Sequence, residues 1–461
     1  LPGLEIWAGT LSLVLPAFRW YRLNMLGIYI HIPFCVRKCD YCDFYSIPVE
    51  PGLAPQEQYL QAVIAQLELD VEALRLEGRQ VTSVYFGGGT PSIMKAEFFS
   101  SLLNALSRHF KFSADVEVSC EVNPATADAR WFRNARSSGI TRCSIGVQSF
   151  QERLLRGLGR IHTADDAMRA IAEAQDAGFD SVGMDLMYAM PGETMGELEE
   201  DVRTAMTFQP NHISAYQLTI EEGTPMHEKY ISGPGTGNLE PGKDNPGPRS
   251  LVPGPDVDSE DDQLQQMRTV GRMLGRSGWP RYEISNFAKP GFECRHNLNY
   301  WRYGEYLGLG AGATSFVLKK TCDRAIVRSC VSTTERVASC EPEIFNDRTN
   351  APTHQRTIFA RRWTQARDVN AYIEGSADLA ESEELDARTA MGEYCFLGLR
   401  TTEGISAATF EGLFHESFEA VFGGVCESLK KDGLILRTID RIALTQRGLE
   451  LSNMVFEKFI S

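Results

Sequence analysis

The sequence predicts an α/β chain built as an incomplete (β/α)6 barrel followed by a smaller winged-helix-like module. Three observations predict it. Between residues 27 and 218, six short runs rich in apolar and β-branched residues alternate with five stretches of helical period, the rhythm of parallel strand-helix units. Polar and acidic residues with chemical potential cluster just after the carboxyl ends of those runs, where barrels place their reactive groups. Beyond residue 385 the pattern changes to helix, turn, helix and a short hairpin.

Taken in order, residues 1–26 have no assigned element. They hold Arg19 and Arg22, the single acid Glu5 and an apolar stretch over 11–18, and read as the remnant of a targeting peptide or a translated upstream fragment. The partial barrel occupies 27–230, with strands expected at 27–32, 81–86, 115–121, 142–147, 181–188 and 212–218. Helices are expected between them at 56–77, 95–110, 128–138, 163–177 and 194–207. Residues 231–262 combine Pro234, Pro241, Pro246, Pro248, Pro253 and Pro255 with an acidic run from 256 to 262. Such composition buries too little apolar surface to order itself, and it is expected to be an insertion ahead of a helix at 263–276. Residues 263–316 complete the barrel. A second, irregular insertion spans 317–360, where Cys322, Cys330 and Cys340 are too widely spaced for a tight metal site. Residues 361–384 connect to the carboxyl-terminal module at 385–461, with helices at 387–398, 406–410 and 414–431, a hairpin near 434–444 and a last helix from 446.

The most informative motif follows the first strand. Cys35, Cys39 and Cys42 have the spacing C-x-x-x-C-x-x-C. Three thiolates this close can hold three irons of a cubane cluster and leave the fourth open to a small ligand. Two plainer readings exist: three core cysteines on one helix face, or a zinc site. Pro33 after the strand disfavours a helix, and Arg37, Lys38 and Asp40 leave the segment without an apolar face. Structural zinc takes four ligands, often as two C-x-x-C pairs, and no second pair lies nearby. The iron-sulfur reading leads, with zinc and packing as alternatives.

Three further groups of residues sit at strand ends. Gly87-Gly88-Gly89-Thr90 follows the second strand, where glycines let the backbone turn sharply and approach a ligand; most such turns are only punctuation. Glu121 ends the third strand and would count as a solvated turn acid if it stood alone. It is joined by Gln148 after the fourth strand, by Arg160, and by Asp185 inside the fifth. A carboxylate on a buried strand needs a partner; for Asp185 that is Arg160, unless Arg160 serves a ligand carboxylate instead.

Read with its flanks, Tyr29-Ile30-His31-Ile32-Pro33-Phe34-Cys35-Val36-Arg37-Lys38-Cys39-Asp40-Tyr41-Cys42-Asp43-Phe44 resembles the radical S-adenosylmethionine (SAM) superfamily. Within it the segment is similar to the branch of oxygen-independent coproporphyrinogen oxidase (HemN) and the heme chaperone HemW. The resemblance implies a [4Fe-4S] cluster on Cys35, Cys39 and Cys42, with the methionine part of SAM chelating the open iron and an electron from the cluster cleaving a carbon-sulfur bond. It implies that Gly87, Gly88, Gly89 and Thr90 hold the methionine amino group. Glu121, Gln148, Arg160 and Asp185 would surround ribose, sulfonium and carboxylate, and Tyr29 and Tyr41 would pack beside the cluster. No side chain is assigned a catalytic role, since the cofactor carries the difficult chemistry.

Two markers bear on the branch. Oxidases of this branch have a further cysteine two positions after the third, and here that position is Phe44. Downstream, Cys294-Arg295-His296-Asn297-Leu298-Asn299-Tyr300-Trp301 resembles the H-N-x-x-Y-W motif of HemW, which implies heme binding through His296, Asn297, Tyr300 and Trp301. Chemically, an imidazole can ligate iron and flat rings can cover a macrocycle. The plainer reading is a hydrogen-bonded histidine among core aromatics. The resemblance thus implies a heme chaperone with the cluster, SAM and heme as cofactors and heme-accepting, respiratory apoproteins as partners, plus an electron donor if radical chemistry occurs. The alternative is an oxygen-independent coproporphyrinogen III oxidase or a HemN-like radical transferase; a structural zinc protein is the third reading.

Composition narrows the classes. A formal charge of -15 disfavours a nucleic-acid partner. No run of about 18 apolar residues supports a membrane span. Eleven cysteines without a secretion signal point to a reducing compartment; the cytoplasm is expected, with mitochondrion or plastid as the alternative.

Overall fold

The computed structural model describes residues 25–232, 258–318 and 358–460. Most of the expected targeting remnant and most of both insertions therefore lie outside the described residues. The first strand, β1 (Met25–Ile32), starts two residues before the expected boundary because Met25 and Leu26 already pair with Gln80 and Val81.

The amino-terminal half alternates strands and helices. After β1 come β2 (Phe34–Cys35), β3 (Ile47–Pro48), β4 (Gln80–Gly88), β5 (Lys111–Val122), β6 (Arg142–Gln148), β7 (Ser181–Tyr188) and β8 (His212–Gln217). β1, β4, β5, β6, β7 and β8 stand side by side in that order, all parallel. β2 and β3 make a separate two-stranded sheet at the cysteine loop. The crossovers are α1 (Gln56–Leu74), α2 (Ala96–His109), α3 (Ala129–Ser137), the pair α4 (Glu152–Gly157) and α5 (Ala164–Asp176), and α6 (Met195–Thr207). Their starts follow local chemistry: Thr163 with Asp166, and Thr194 with Glu197, form reciprocal capping boxes, and Asp128 caps α3. Strands covered on both faces carry nearly continuous apolar runs, and β6 and β7 each expose one residue in part.

Beyond β8 lie α7 (Pro225–Tyr230), α8 (Glu260–Arg276), β9 (Asn286–Ala288) and α9 (Arg295–Trp301). Residues 260–262 were expected in the insertion but form the first turn of α8, where Ser259 caps the helix and three acids face its positive end. The sheet then continues on the far side of β1. β10 (Tyr306–Leu309) runs parallel to β1, and β11 (Thr314–Leu318), β12 (Ile358–Gln365) and β13 (Leu379–Asp386) follow antiparallel. Residues 317, 318 and 358–360, expected in an irregular insertion, are thus strand, and 361–384, expected as a connection, hold the rest of β12, a short helix at Val369–Ile373 and most of β13. β13 pairs its acids with the arginines of β12, Arg361 opposite Glu384 and Arg362 opposite Glu383, which is why its polar sequence did not look like a strand. The resulting sheet has eleven strands with β13 and β9 at its edges, so the barrel is incomplete.

The carboxyl-terminal module holds helices at Ala387–Leu399, Ala407–Phe414 and Phe418–Lys431, a small sheet of β14 (Ile405–Ser406), β15 (Ile435–Arg437) and β16 (Arg441–Leu444), and closing helices at Gln446–Glu450 and Ser452–Ile460. Phe410, Phe418 and Phe422 centre its core, which extends to Tyr303, Phe316 and Leu318 of the barrel side. Among the described residues no helix is long and apolar enough to cross a membrane.

Candidate functional site

The cysteine loop is set by backbone pairing on both sides. The Val49 amide donates to the Cys35 carbonyl (2.7 Å), the Thr90 amide to the Phe34 carbonyl (2.8 Å), and the Asp40 amide to the Leu158 carbonyl (3.1 Å). The Thr90 hydroxyl donates to Cys35 Sγ at 3.2 Å and the Arg160 guanidinium to Cys39 Sγ at 3.5 Å. Burial pushes the thiols of Cys35 and Cys42 up, the latter to about 11. Among the described residues no three His, Cys, Asp or Glu side chains converge on a single ion position. A cubane instead gives each thiolate its own iron, so its ligands stand farther apart than those of one ion, and three thiols on a short loop, with donors on two of them, suit that group.

The glycine turn is shaped around this loop. A Cβ on Gly89 would meet the carbonyls of Ile32 and Phe34 at 2.8 Å and Cys35 Sγ at 3.1 Å; one on Gly87 would meet the rings of Tyr85 and Tyr29 and the carboxylate of Glu121. Gly88 has φ +110° and lies against the His31 ring. Only glycine fits these approaches.

Two carboxyls face each other across the strand ends. Glu121 accepts from the Tyr85 hydroxyl (2.9 Å) and the Gly88 amide (3.2 Å); burial, reinforced by the charge of Asp185, pushes it up to about 7. Asp185 accepts from the Ser144 hydroxyl at 2.9 Å and is also raised by burial. Such a buried pair fits a ligand bringing positive charge and hydroxyls, as the sulfonium, amino group and ribose of SAM do. Arg160 lies nearby, donating to the Gly146 carbonyl (2.7 Å) as well as to Cys39, and Tyr41 is hydrogen-bonded to it. Of the two roles open to Arg160, the Asp185 carboxylate is satisfied elsewhere, by hydroxyls. Gln148 has φ +66° at a register shift between β6 and β7, a strained backbone of the kind that re-aims a side chain.

The α9 residues divide between the protein interior and a cavity wall. His296 is 1 % exposed. Its Nδ1 is 2.9 Å from the Ser83 hydroxyl and its Nε2 is 2.8 Å from the Tyr300 hydroxyl, and burial lowers it to about 3. Both ring nitrogens are therefore engaged, and in this conformation the imidazole offers no free lone pair to iron. It links two regions instead: its ring stacks on Tyr85, which holds Glu121, while Tyr300 forms part of a cavity wall. Cys294 is also buried, with its thiol on Glu117, and Asn297 does not reach the cavity. Ser83, Tyr85 and His31 were not singled out from sequence. They sit inside ordinary-looking strand runs, and nothing local marks them.

That cavity, about 540 Å³, opens between the cysteine loop and the carboxyl-terminal module. Tyr29, Phe44, Tyr300, Trp301, Tyr306 and Phe316 supply its aromatic walls, with Arg362 and Arg367 among the polar ones. The buried indole N–H of Trp301 has no hydrogen-bond partner among the described residues, which is unusual for a donor shielded from water. An aromatic cleft with a cationic side chain, Arg367, on its wall fits a flat, amphiphilic ligand such as heme.

Comparison with known proteins places this geometry. Residues 29–205 match the Radical SAM superfamily and residues 385–451 the HemN C-terminal domain. The heme chaperone HemW of Escherichia coli (strain K12) is 38% identical over 293 residues, 63% of this chain and 70% of that protein. HemW of Mycobacterium tuberculosis (strain ATCC 25618 / H37Rv) is 31% identical over 434 residues, 93% of each. The chain belongs to the heme chaperone HemW family. As a HemW relative it shares its fold with the coproporphyrinogen III oxidase HemN from Escherichia coli, described as a radical SAM enzyme, at a TM-score of 0.70, with 20% identity over 96% of this chain and 91% of that one. The cysteine loop, glycine turn, Glu121, Gln148, Arg160 and Asp185 all fall inside the radical SAM match, whereas α9 of this HemW-type chain lies between the two matched regions. Membership of the radical SAM superfamily implies a [4Fe-4S] cluster and SAM.

Proposed function

We propose that this protein is a heme chaperone that holds a [4Fe-4S] cluster on Cys35, Cys39 and Cys42, binds SAM against the glycine turn and the Glu121–Asp185 pair, and receives heme in the adjoining cavity for delivery to apoproteins. Bound to the cluster, SAM supplies a route to reductive carbon-sulfur cleavage, for which an electron donor is the further partner. The observation that carries the heme reading is the placement of α9: Tyr300 and Trp301 of the H-N-x-x-Y-W segment line the cavity beside the cysteine loop. His296 supports it from behind by fixing the Tyr300 hydroxyl. The acceptors fitting this role are respiratory apoproteins, and the cytoplasm is the proposed site of action.

The test is a heme titration of the full chain after anaerobic reconstitution. A Soret band is expected, weaker in Trp301→Ala and in His296→Ala. Absence of heme uptake by the wild type removes the chaperone reading, and conversion of coproporphyrinogen III would support the oxidase alternative in its place.

A further inference from the structure

The cavity's charged residues are not equivalent. Arg362 is spent: it pairs with Glu393 at 2.7 Å and with Glu383 at 2.5 Å, and Glu393 also accepts from the Tyr303 hydroxyl at 3.2 Å. Arg367 is exposed, and among the described residues no carboxylate lies within ion-pair distance of it. Asp43, on the cysteine loop, is the other charge of the wall and is likewise exposed and outside any ion pair. The wall therefore presents one uncommitted cation and one uncommitted anion, and these give the cavity a polarity.

The segment bearing Arg367 is anchored. The Gly312 amide donates to the Ala366 carbonyl at 3.0 Å, and the Val369 amide donates to the Tyr45 hydroxyl at 3.1 Å. Gly312, at φ +80°, lies so close to the Tyr45 ring that a Cβ there would meet it at 2.9 Å. Both Gly312 and Tyr45 also line the cavity. A guanidinium on such a base can hold a carboxylate through two parallel hydrogen bonds.

We propose that Arg367 is the anion anchor of this cavity, gripping a carboxylate arm of a flat tetrapyrrole whose ring lies against Tyr300, Trp301 and Phe316. The inference rests on the heme reading above and deepens it. It assigns the ligand class as a macrocycle with free carboxylates, and it fixes the orientation, because Asp43 repels the arm that Arg367 attracts. The apolar edge then enters first, against Tyr300 and Trp301.

The experiment compares ferric heme with its dimethyl ester, which keeps the ring and loses both carboxylate charges. Both are titrated into the reconstituted full chain, as wild type, Arg367→Ala and Arg367→Lys. In Arg367→Ala heme affinity should fall about 10-fold, with part of it restored by lysine. The ester should bind wild type and Arg367→Ala alike. Unchanged circular dichroism and iron content would show that the exposed substitution leaves the fold intact. Equal heme affinity in wild type and Arg367→Ala overturns the proposal, and so does an equal loss for heme and ester, which would indicate lost packing. If wild type binds neither ligand, the heme reading itself fails and the anchor with it.

Discussion

A thiol at position 39 acts as one third of a ligand set and contributes little to packing, since Cys39 is partly exposed. Cys39→Ser should therefore abolish cluster assembly, read as iron content and visible absorbance, while the far-ultraviolet circular dichroism stays that of the wild type. Glu121 is tied to the glycine turn and to Tyr85, on the side proposed for SAM. Glu121→Ala should lower SAM affinity about 10-fold with cluster content unchanged; equal affinity would show that the carboxylate serves Tyr85 alone. Glu193 is a different case. Burial pushes it up to about 8, and one carboxylate oxygen has no partner among the described residues. Because the folded state keeps this proton after the unfolded chain has released it, its contribution to stability is full below about pH 4.5 and is lost as pH rises toward 8. Glu193→Gln should thus gain about 2 kcal/mol over wild type in denaturant melts at pH 8.5, and the gain should vanish near pH 5. Cys39 was visible in the sequence by its spacing and Glu121 by its place at a strand end, whereas nothing in the sequence singled out Glu193. What sequence could not supply was the partner: Ser83 reaches His296 across 213 positions and holds one nitrogen of its imidazole.

At the scale of elements, β1, β4 to β8 and the longer helices between them were legible because most carry their own signal: an apolar run for a strand buried on two faces, or a cap and a helical period for a helix. The six-residue α4 and the exposed start of β5 were not. Thr163 and Thr194 mark helix starts within a residue of where they occur. β10 and β11 were not legible, since they are short and separated by Gly310 and Gly312 in left-handed backbone. β13 hid for another reason, its strand register being written in charge pairs with β12. The turn after β4 makes a sharp prediction. Gly89→Ala places a methyl group against two carbonyls and Cys35 Sγ, so the cysteine loop must shift. Stability should drop on the order of 1–3 kcal/mol, and reconstituted iron should fall with it; a variant that assembles the cluster normally would show the turn to be less confined than its geometry.

For the whole molecule, the carboxyl-terminal module is continuous with the barrel's core. Phe316, Leu318 and Tyr303 pack with Tyr394, Phe410 and Phe414, and ion pairs Arg268–Glu450 and Arg302–Glu403 cross the same boundary. A chain ending at residue 386 leaves that apolar face bare and should aggregate on expression; recovery of a monodisperse truncated protein would show that the two parts fold independently. The order of strands carries one more consequence. β1, which leads into the cysteine loop, is flanked by β4 on one edge and by β10 on the other, with Gly27 opposite Tyr306. During synthesis that second edge stays bare until the ribosome has released residue 309, a closure over long sequence separation that folds slowly. The strand that carries the cysteine loop thus gains its second neighbour only once residues 306–309 have been made.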